Sequence, residues 1–199
     1  MSKLKSPFDY KKATQALNYF AVKAGGKINK MKALKLVYFA DRYHLRKYGR
    51  LITKDNYVAM EHGPVASATR DILEKNLFAD ENDINYINRY IEPAERFYKS
   101  LNAIDEDKFS ESDREALKFA WENFGNLDQF KLRDLTHKYP EWKSRKHILA
   151  KKLSAAMDIN EFFDDPEDRI NKCFELSAQD KKDRKEYFNE LICIESIWS

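Results

Sequence analysis

Cysteine is nearly missing from this chain: Cys173 and Cys193 are the only two. Two thiols make neither a disulfide framework nor a zinc knuckle, so a reducing compartment is expected. Glycine is almost as scarce, at five residues. There is accordingly no Gly-x-x-x-x-Gly-Lys phosphate loop, no Gly-x-Gly-x-x-Gly turn and no Gly-x-Ser-x-Gly nucleophile elbow. Histidine is limited to four positions, none in a His-x-x-x-His pair. No apolar run approaches the length of a membrane span, and the opening Met-Ser-Lys-Leu-Lys-Ser-Pro lacks the apolar stretch of a secretory signal. A cytoplasmic protein without a membrane partner is expected. Internal repeats and low-complexity tracts are missing too.

The chain does have apolar and aromatic residues, 43% and 14% of its 199 positions, which argues for a packed core despite 35% charge. That length suits one domain, with or without an appendage. The net charge of +3 conceals a division. Residues 1–54 hold 14 Lys or Arg against only Asp9 and Asp41, a net +12, and the remainder hold 22 against 31, a net −9. The favoured reading is that basic helices pack on acidic ones or face solvent. The alternative is a basic face that recruits an acidic protein or a nucleic acid.

Periodicity predicts a mainly α protein with a small antiparallel β-hairpin or three-stranded sheet, an α+β arrangement in one compact helical body. Ser6-Pro7 forms a good helix start, and Ala13, Ala16, Leu17, Phe20, Ala21 and Ala24 follow a helical stripe to the stop at Gly25-Gly26. Asn29 opens a second helix reaching about Lys47, with Leu34, Val37, Tyr38, Asp41 and Leu45 on its inner side and Gly49 as its stop. Leu51–Thr53 and Tyr57–Met60 read as a hairpin around Lys54-Asp55-Asn56, closed by Gly63-Pro64. Ser67 caps a short helix to about Lys75, and residues 80–93 give a weak third strand. Ser110-Glu111-Ser112-Asp113 opens an acidic-capped helix that Gly125 stops. Leu127 to His137 forms another helix, broken by Pro140, with Trp142 as an aromatic peg. Ile148–Ala156 and Ile159–Phe163 read as helical pieces. Asp164 to Asp168 is the linker candidate, dividing a domain over 1–165 from a C-terminal helical extension over 166–199. The apolar end of that extension predicts docking on the domain or on a partner.

Polar side chains punctuate the block from Lys35 to Ser67. Asp41 and His44 share one helix face, and His62 and His137 are the histidines that a metal or acid–base site would draw in. The competing reading makes Asp41, Arg42 and His44 internal pairing groups, and no metal or other cofactor is expected. Tyr38, Phe39, Tyr43 and Tyr48 alternate with Lys35, Arg42, Arg46 and Lys47, a pattern that would stack and neutralise nucleic acid. At helical spacing, some of these rings instead belong to the core, and the basic residues line the opposite face.

The same block carries a resemblance. Lys35, Leu36, Tyr38, Phe39, Ala40, Asp41, His44, Leu45, Tyr48, Gly49 and Arg50 are followed by Asp55, Tyr57, Val58, Ala59, Met60, Gly63, Pro64, Val65 and Ser67. A second stretch contains Ser110, Asp113, Leu135, Thr136, His137, Pro140 and Trp142. In order and spacing these resemble the Panacea domain of SocA-like antitoxins over about residues 10–165. Ala66 stands where the family commonly has a second proline, and Arg70 where a tyrosine is usual; both bear on the surface beside the hairpin.

The resemblance implies a non-enzymatic antitoxin that binds a cognate protein toxin. It also implies carriage by phages or mobile elements and, for some members, delivery of the toxin to a protease. On this reading the hairpin and the turn after it form the contact surface. Arg50, Asp55, Tyr57, Glu61 and His62 are the candidate partner-binding residues, with Gly63, Pro64 and Arg70 beside them. Tyr38, Asp41, Arg42, His44, Tyr48 and Gly49 form the structural motif, with Ser67, His137 and Trp142. Two other classes remain open: a nucleic-acid-associated phage or regulatory protein, and a small metal-dependent hydrolase around Asp41, His44 and His62. Self-association into a homo-oligomer is a further possibility.

Overall fold

A computed structural model of the chain describes residues 8–166 and 175–197. Its centre is the helix α2 (Lys30–Tyr48), capped by the Asn29 side chain and closed by Gly49 at φ 73°. A left-handed closing residue carries no Cβ penalty when it is glycine. Thirteen of its 19 residues are buried, because α1 (Tyr10–Lys23), the strand β3 (Gly63–Ala66), and the helices α5 (Glu111–Phe124), α6 (Gln129–Thr136) and α9 (Ala178–Ile197) surround it. The expected inner stripe is buried, but so is most of the remaining circumference, which is how a central helix differs from a surface one.

The first helix starts later than expected. Ser6 and Pro7 lie outside the described residues, while Phe8 and Asp9 precede the helix and Asp9 accepts from the Lys12 amide at 2.9 Å. Gly25 and Gly26, at φ 83° and 95°, then turn the chain into β1 (Lys27–Asn29).

Among the described residues the structure is mainly α with two three-stranded antiparallel sheets. One has the order β1–β5–β4, with β4 at Ile91–Pro93 and β5 at Phe97–Ser100. The other has the order β3–β2–β6, with β2 at Tyr57–Met60, β3 at Gly63–Ala66 and β6 at Ser154–Ala156. The hairpin therefore lies one step further along the chain than expected. Met60 pairs with Gly63, Glu61-His62 form the turn, and Gly63-Pro64 lie inside the second strand. Leu51–Thr53 is no strand: the Asp41 carboxylate takes the Ile52 and Thr53 amides at 2.7 and 3.2 Å, so a neighbouring ladder cannot have them.

Three further segments change type. Residues 81–90 form α4 (Glu81–Tyr90), capped by Asp80, and only Ile91–Pro93 is strand. Ser67 is the first residue of α3 (Ser67–Glu74) rather than its cap. The Asp55 carboxylate does the capping, accepting from the Ala68 and Thr69 amides at 3.0 and 2.7 Å. After the short α8 (Lys146–Leu149), Ser154–Ala156 leaves the helical path to become the outer strand beside β2.

The C-terminal half otherwise follows its capping signals. In α5 (Glu111–Phe124), Ser110 and Asp113 form a reciprocal capping box. Helix α6 (Gln129–Thr136) precedes α7 (Pro140–Lys143), where Pro140 begins the next helix as well as ending the previous path. A short 3-10 helix covers Ile159–Phe163.

Asp164 and Asp165, expected to open a linker, are held in place. Asp164 offers its carbonyl to Arg42 at 2.6 Å, and Asp165 accepts from Arg46 at 2.6 Å. Glu167, Asp168, Cys173 and Trp198 lie outside the described residues. Helix α9 (Ala178–Ile197) returns to the body: Lys181 pairs with Asp165, and the Phe188 ring lies 6.1 Å from Phe163. Its far end leaves Ile194 and Ile197 exposed. No described helix is long and apolar enough to cross a membrane.

Tyr187 of α9 lies where a Cβ on Gly49 would be. Gly49→Ala therefore meets both a left-handed φ and the Tyr187 ring, and urea denaturation should show a loss of at least about 1 kcal/mol. An unchanged midpoint would contradict both the left-handed cap at Gly49 and the packing of Tyr187 on it.

Candidate functional site

Helix α2 turns Lys35, Asp41, Arg42, His44 and Arg46 inward. Asp41 is fully buried and accepts from the Ile52 and Thr53 amides, from Thr53 Oγ1 at 2.6 Å and from the Tyr57 hydroxyl at 2.9 Å. Burial pushes its carboxyl up to about 6, and the four donors pull the other way. Glu141 Oε1 accepts from the Tyr38 hydroxyl at 2.6 Å and from Arg42 Nε at 2.7 Å. Arg46 Nη1 donates to the Phe162 and Phe163 carbonyls at 3.2 and 2.5 Å and Arg42 to the Asp164 carbonyl at 2.6 Å, so the two arginines fasten the 3-10 helix and its exit to α2 while Glu141 fastens α7.

Burial drives His44 down to about 4, leaving the ring neutral. Its Nδ1 then donates to the Arg50 carbonyl at 2.7 Å and its Nε2 accepts from Ser112 Oγ at 3.0 Å. Tyr43, Lys47 and Tyr48 all donate to Glu115, whose carboxyl falls to about 2 against the cost of burial.

These positions account for part of the basic N-terminal half. Arg42 and Arg46 are buried among acceptors of their own and line no solvent face, while Lys35 is buried beside a groove. Lys12 and Arg50 pair with Asp113, and Lys47 with Glu115, so the basic elements close on the acidic α5. The histidines considered for a metal do not converge with Asp41. His62 is exposed on the hairpin turn, and His137 stacks on Trp142 at a centroid distance of 3.7 Å. Among the described residues, no group of three or more His, Cys, Asp or Glu side chains could hold a metal ion.

Several expected contact residues are also inside. Asp55 caps α3, Tyr57 bonds Asp41, and Gly63 and Pro64 are buried in β3. Arg50 is half-buried on Asp113 and the serines that precede it. Glu61, His62 and Arg70 do reach solvent, and they line one groove of about 960 Å³.

The groove lies between the hairpin turn, the start of α2 and the α6–α8 region. Met60, Val65, Leu34 and Trp142 contribute apolar surface, and Trp142 Nε1 donates to the Met60 carbonyl at 2.9 Å. Phe130 and Leu153 stand at its edge with 53% and 91% of their surface exposed. Lys35 also lines it, yet is only 1% exposed, and its Nζ makes one hydrogen bond, to the Pro64 carbonyl at 2.7 Å. Burial lowers this amine to about 7.

Gly63 is required beside it. At φ 97°, an added Cβ would lie 2.5 Å from Thr136 Oγ1 and 2.9 Å from Lys35 Nζ. Sequence reasoning missed Phe130, Lys146, Leu149, Lys152 and Leu153, which come from two short helices and the turn before β6, far from the motif block. The available signal was Phe130, an aromatic placed off the Leu132 and Thr136 face that α6 buries.

Two measurements check this account. Asp41→Ala strands four buried donors and should cost about 3 kcal/mol or more in urea denaturation, and a loss below about 1 kcal/mol would contradict the hub. For Lys35, the folded amine near 7 lies below its ordinary 10.5, so the unfolded chain binds more protons between those values and stability rises with pH across that window. Lys35→Met should therefore be more stable than the parent. Its advantage should be largest below about pH 7 and shrink toward about pH 10; a pH-independent difference would contradict the buried amine.

The sequence model described as "Antitoxin SocA-like, Panacea domain" matches residues 34–143, a shorter span than the 10–165 expected from the motifs. It takes in most of α2, the hairpin and the chain through α7, hence the Asp41 hub, Lys35 and most of the groove, but not Lys146, Leu149 or Leu153. No curated protein and no solved structure matches the chain. With more than half its length in that match, the chain belongs to the SocA-like antitoxin family that carries the Panacea domain.

Proposed function

We propose that this protein is the antitoxin of a toxin–antitoxin pair, that it neutralises a cognate protein toxin by direct binding, and that the groove beside the β2–β3 turn is the contact surface. Family membership supports the role. The groove supports the place: Phe130 and Leu153 expose apolar side chains around it, while the polar residues of the motif are bonded to one another inside the fold. Aromatic and apolar anchors set in a cleft, ringed by polar groups, are the usual core of a protein interface. Binding without catalysis suits this arrangement, since covering a toxin's active surface requires only affinity. Of the candidate contact residues, Glu61, His62 and Arg70 stay in this role, and Asp55 and Tyr57 support it from behind.

Co-expression with the product of the neighbouring open reading frame tests the proposal. The parent should rescue growth and co-purify with that product. The double variant Phe130→Asp, Leu153→Asp should fold but bind at least about 30-fold more weakly and lose rescue. Lys118→Ala, on the exposed side of α5, should behave as the parent. Full rescue by the double variant would remove the groove from the mechanism.

A further inference from the structure

We infer that the groove receives an acidic segment of the partner protein, its apolar side chains lying over Trp142, Phe130 and Leu153 and one of its carboxylates seated on Lys35. This deepens the reading of the groove as the toxin-binding surface and rests on it.

The charge around the groove carries the first part. Six cationic side chains line it, Lys30, Lys35, Arg70, Arg96, Lys146 and Lys152, against Glu61, Glu74 and Glu95. Internal pairing does not cancel the excess. Lys30 is matched by Glu74 at 3.4 Å and Arg96 by Glu95 at 4.0 Å. Lys35, Arg70, Lys146 and Lys152 make no ion pair among the described residues, which leaves four cations facing the single carboxylate of Glu61. An apolar cleft with this rim selects a ligand that is both apolar and acidic. A second copy docking groove to groove would bring the same cations together and be repelled.

Lys35 carries the second part. An amine buried to 1% with one carbonyl acceptor retains two N–H donors that no described residue takes up. Holding it there costs stability, because burial disfavours the charged form and no carboxylate compensates. Every other cation that α2 buries has an acceptor cluster of its own: Arg42 has Glu141 and the Asp164 carbonyl, and Arg46 has the Phe162 and Phe163 carbonyls and Asp165. Lys35 is the exception, and of the three it is the one in the groove lining, with Nζ beneath Gly63 and Pro64. Local rules broken at a stability cost concentrate at functional sites. A partner carboxylate reaching Nζ would complete the ion pair in the desolvated setting where such a pair is strongest.

The ligand chemistry is testable with a defined probe on the full chain. A fluorescein-labelled synthetic peptide of about 16 residues, with Leu and Phe on one helical face and Glu on the other, is titrated by anisotropy beside its Gln-for-Glu and Lys-for-Glu forms. A labelled single-stranded oligonucleotide serves as a fourth probe. The Glu peptide should bind about tenfold or more tightly than the Gln form, with no binding of the Lys form or the oligonucleotide. Lys35→Met should remain folded, lose about tenfold toward the Glu peptide and leave the Gln peptide unchanged.

Equal affinity for the Glu and Gln peptides overturns the proposal, as does no binding of either. An unaffected Lys35→Met, preferential binding of the oligonucleotide, or a homodimer that the Glu peptide fails to dissociate does the same. Toxin capture separates the two levels of argument. A neighbouring gene product bound equally by the parent and by Lys35→Met, Lys146→Glu would sink the groove chemistry alone. A product bound by neither would sink the antitoxin reading.

Discussion

A helix buried on nearly every side must satisfy, from other parts of the chain, each charged group it carries inward, and α2 carries Lys35, Asp41, Arg42 and Arg46. The rest of the fold is arranged around those obligations. Asp41 draws the chain after Gly49 into a bend and anchors the hairpin through Tyr57. Arg42 and Arg46 bring Glu141 of α7 and the turn at Phe162–Asp165 onto the same helix. Neutral His44 fixes the loop at Arg50 against the start of α5. Elements separated by more than a hundred residues are thereby tied to one helix, with hydrogen-bond geometry that admits little slippage.

The same constraint separates scaffold from surface. Asp41 and His44, which look catalytic in a linear reading, have spent their hydrogen bonds on the fold, and six basic residues of the first 54 positions are drawn inward (Lys35, Arg42, Arg46) or onto α5 (Lys12, Lys47, Arg50). The open chemistry lies at the edge of the motif, in a groove whose floor comes from α2, β2, β3 and α7 and whose far wall comes from the α8–β6 region. Family membership places the chain among SocA-like antitoxins. The groove itself is an apolar cleft with an excess of cationic side chains along its lining.

Legibility in the sequence followed the range of the interactions. Helix stops at Gly25-Gly26 and Gly49, the caps at Asn29 and Ser110, and the mainly helical character all rest on contacts within a few residues, and all were readable. The hairpin was misplaced because Leu51–Thr53 is apolar and β-branched in the way a strand is, while Asp41, eleven and twelve residues earlier, claims the amides of Ile52 and Thr53. Ser67 looked like a cap because the true cap, Asp55, acts across the hairpin. Residues 81–90 alternate too weakly for a strand, and the Asp80 cap settles them as helix.

The linear order of residues by itself determined the family, the helix boundaries set by glycine and capping side chains, and the regular placement of polar groups in the Lys35–Ser67 block. Tertiary structure alone decided which of those polar groups were consumed and which stayed available. Burial depends on what packs around a side chain, and its partners here come from distant elements: Glu141 for Arg42, Asp113 for Lys12 and Arg50, and the Pro64 carbonyl for Lys35. A lysine in an aromatic helix reads the same in sequence whether it faces water or lies beneath a strand. Only the packed fold places Lys35 under β3, with one acceptor and a groove beside it.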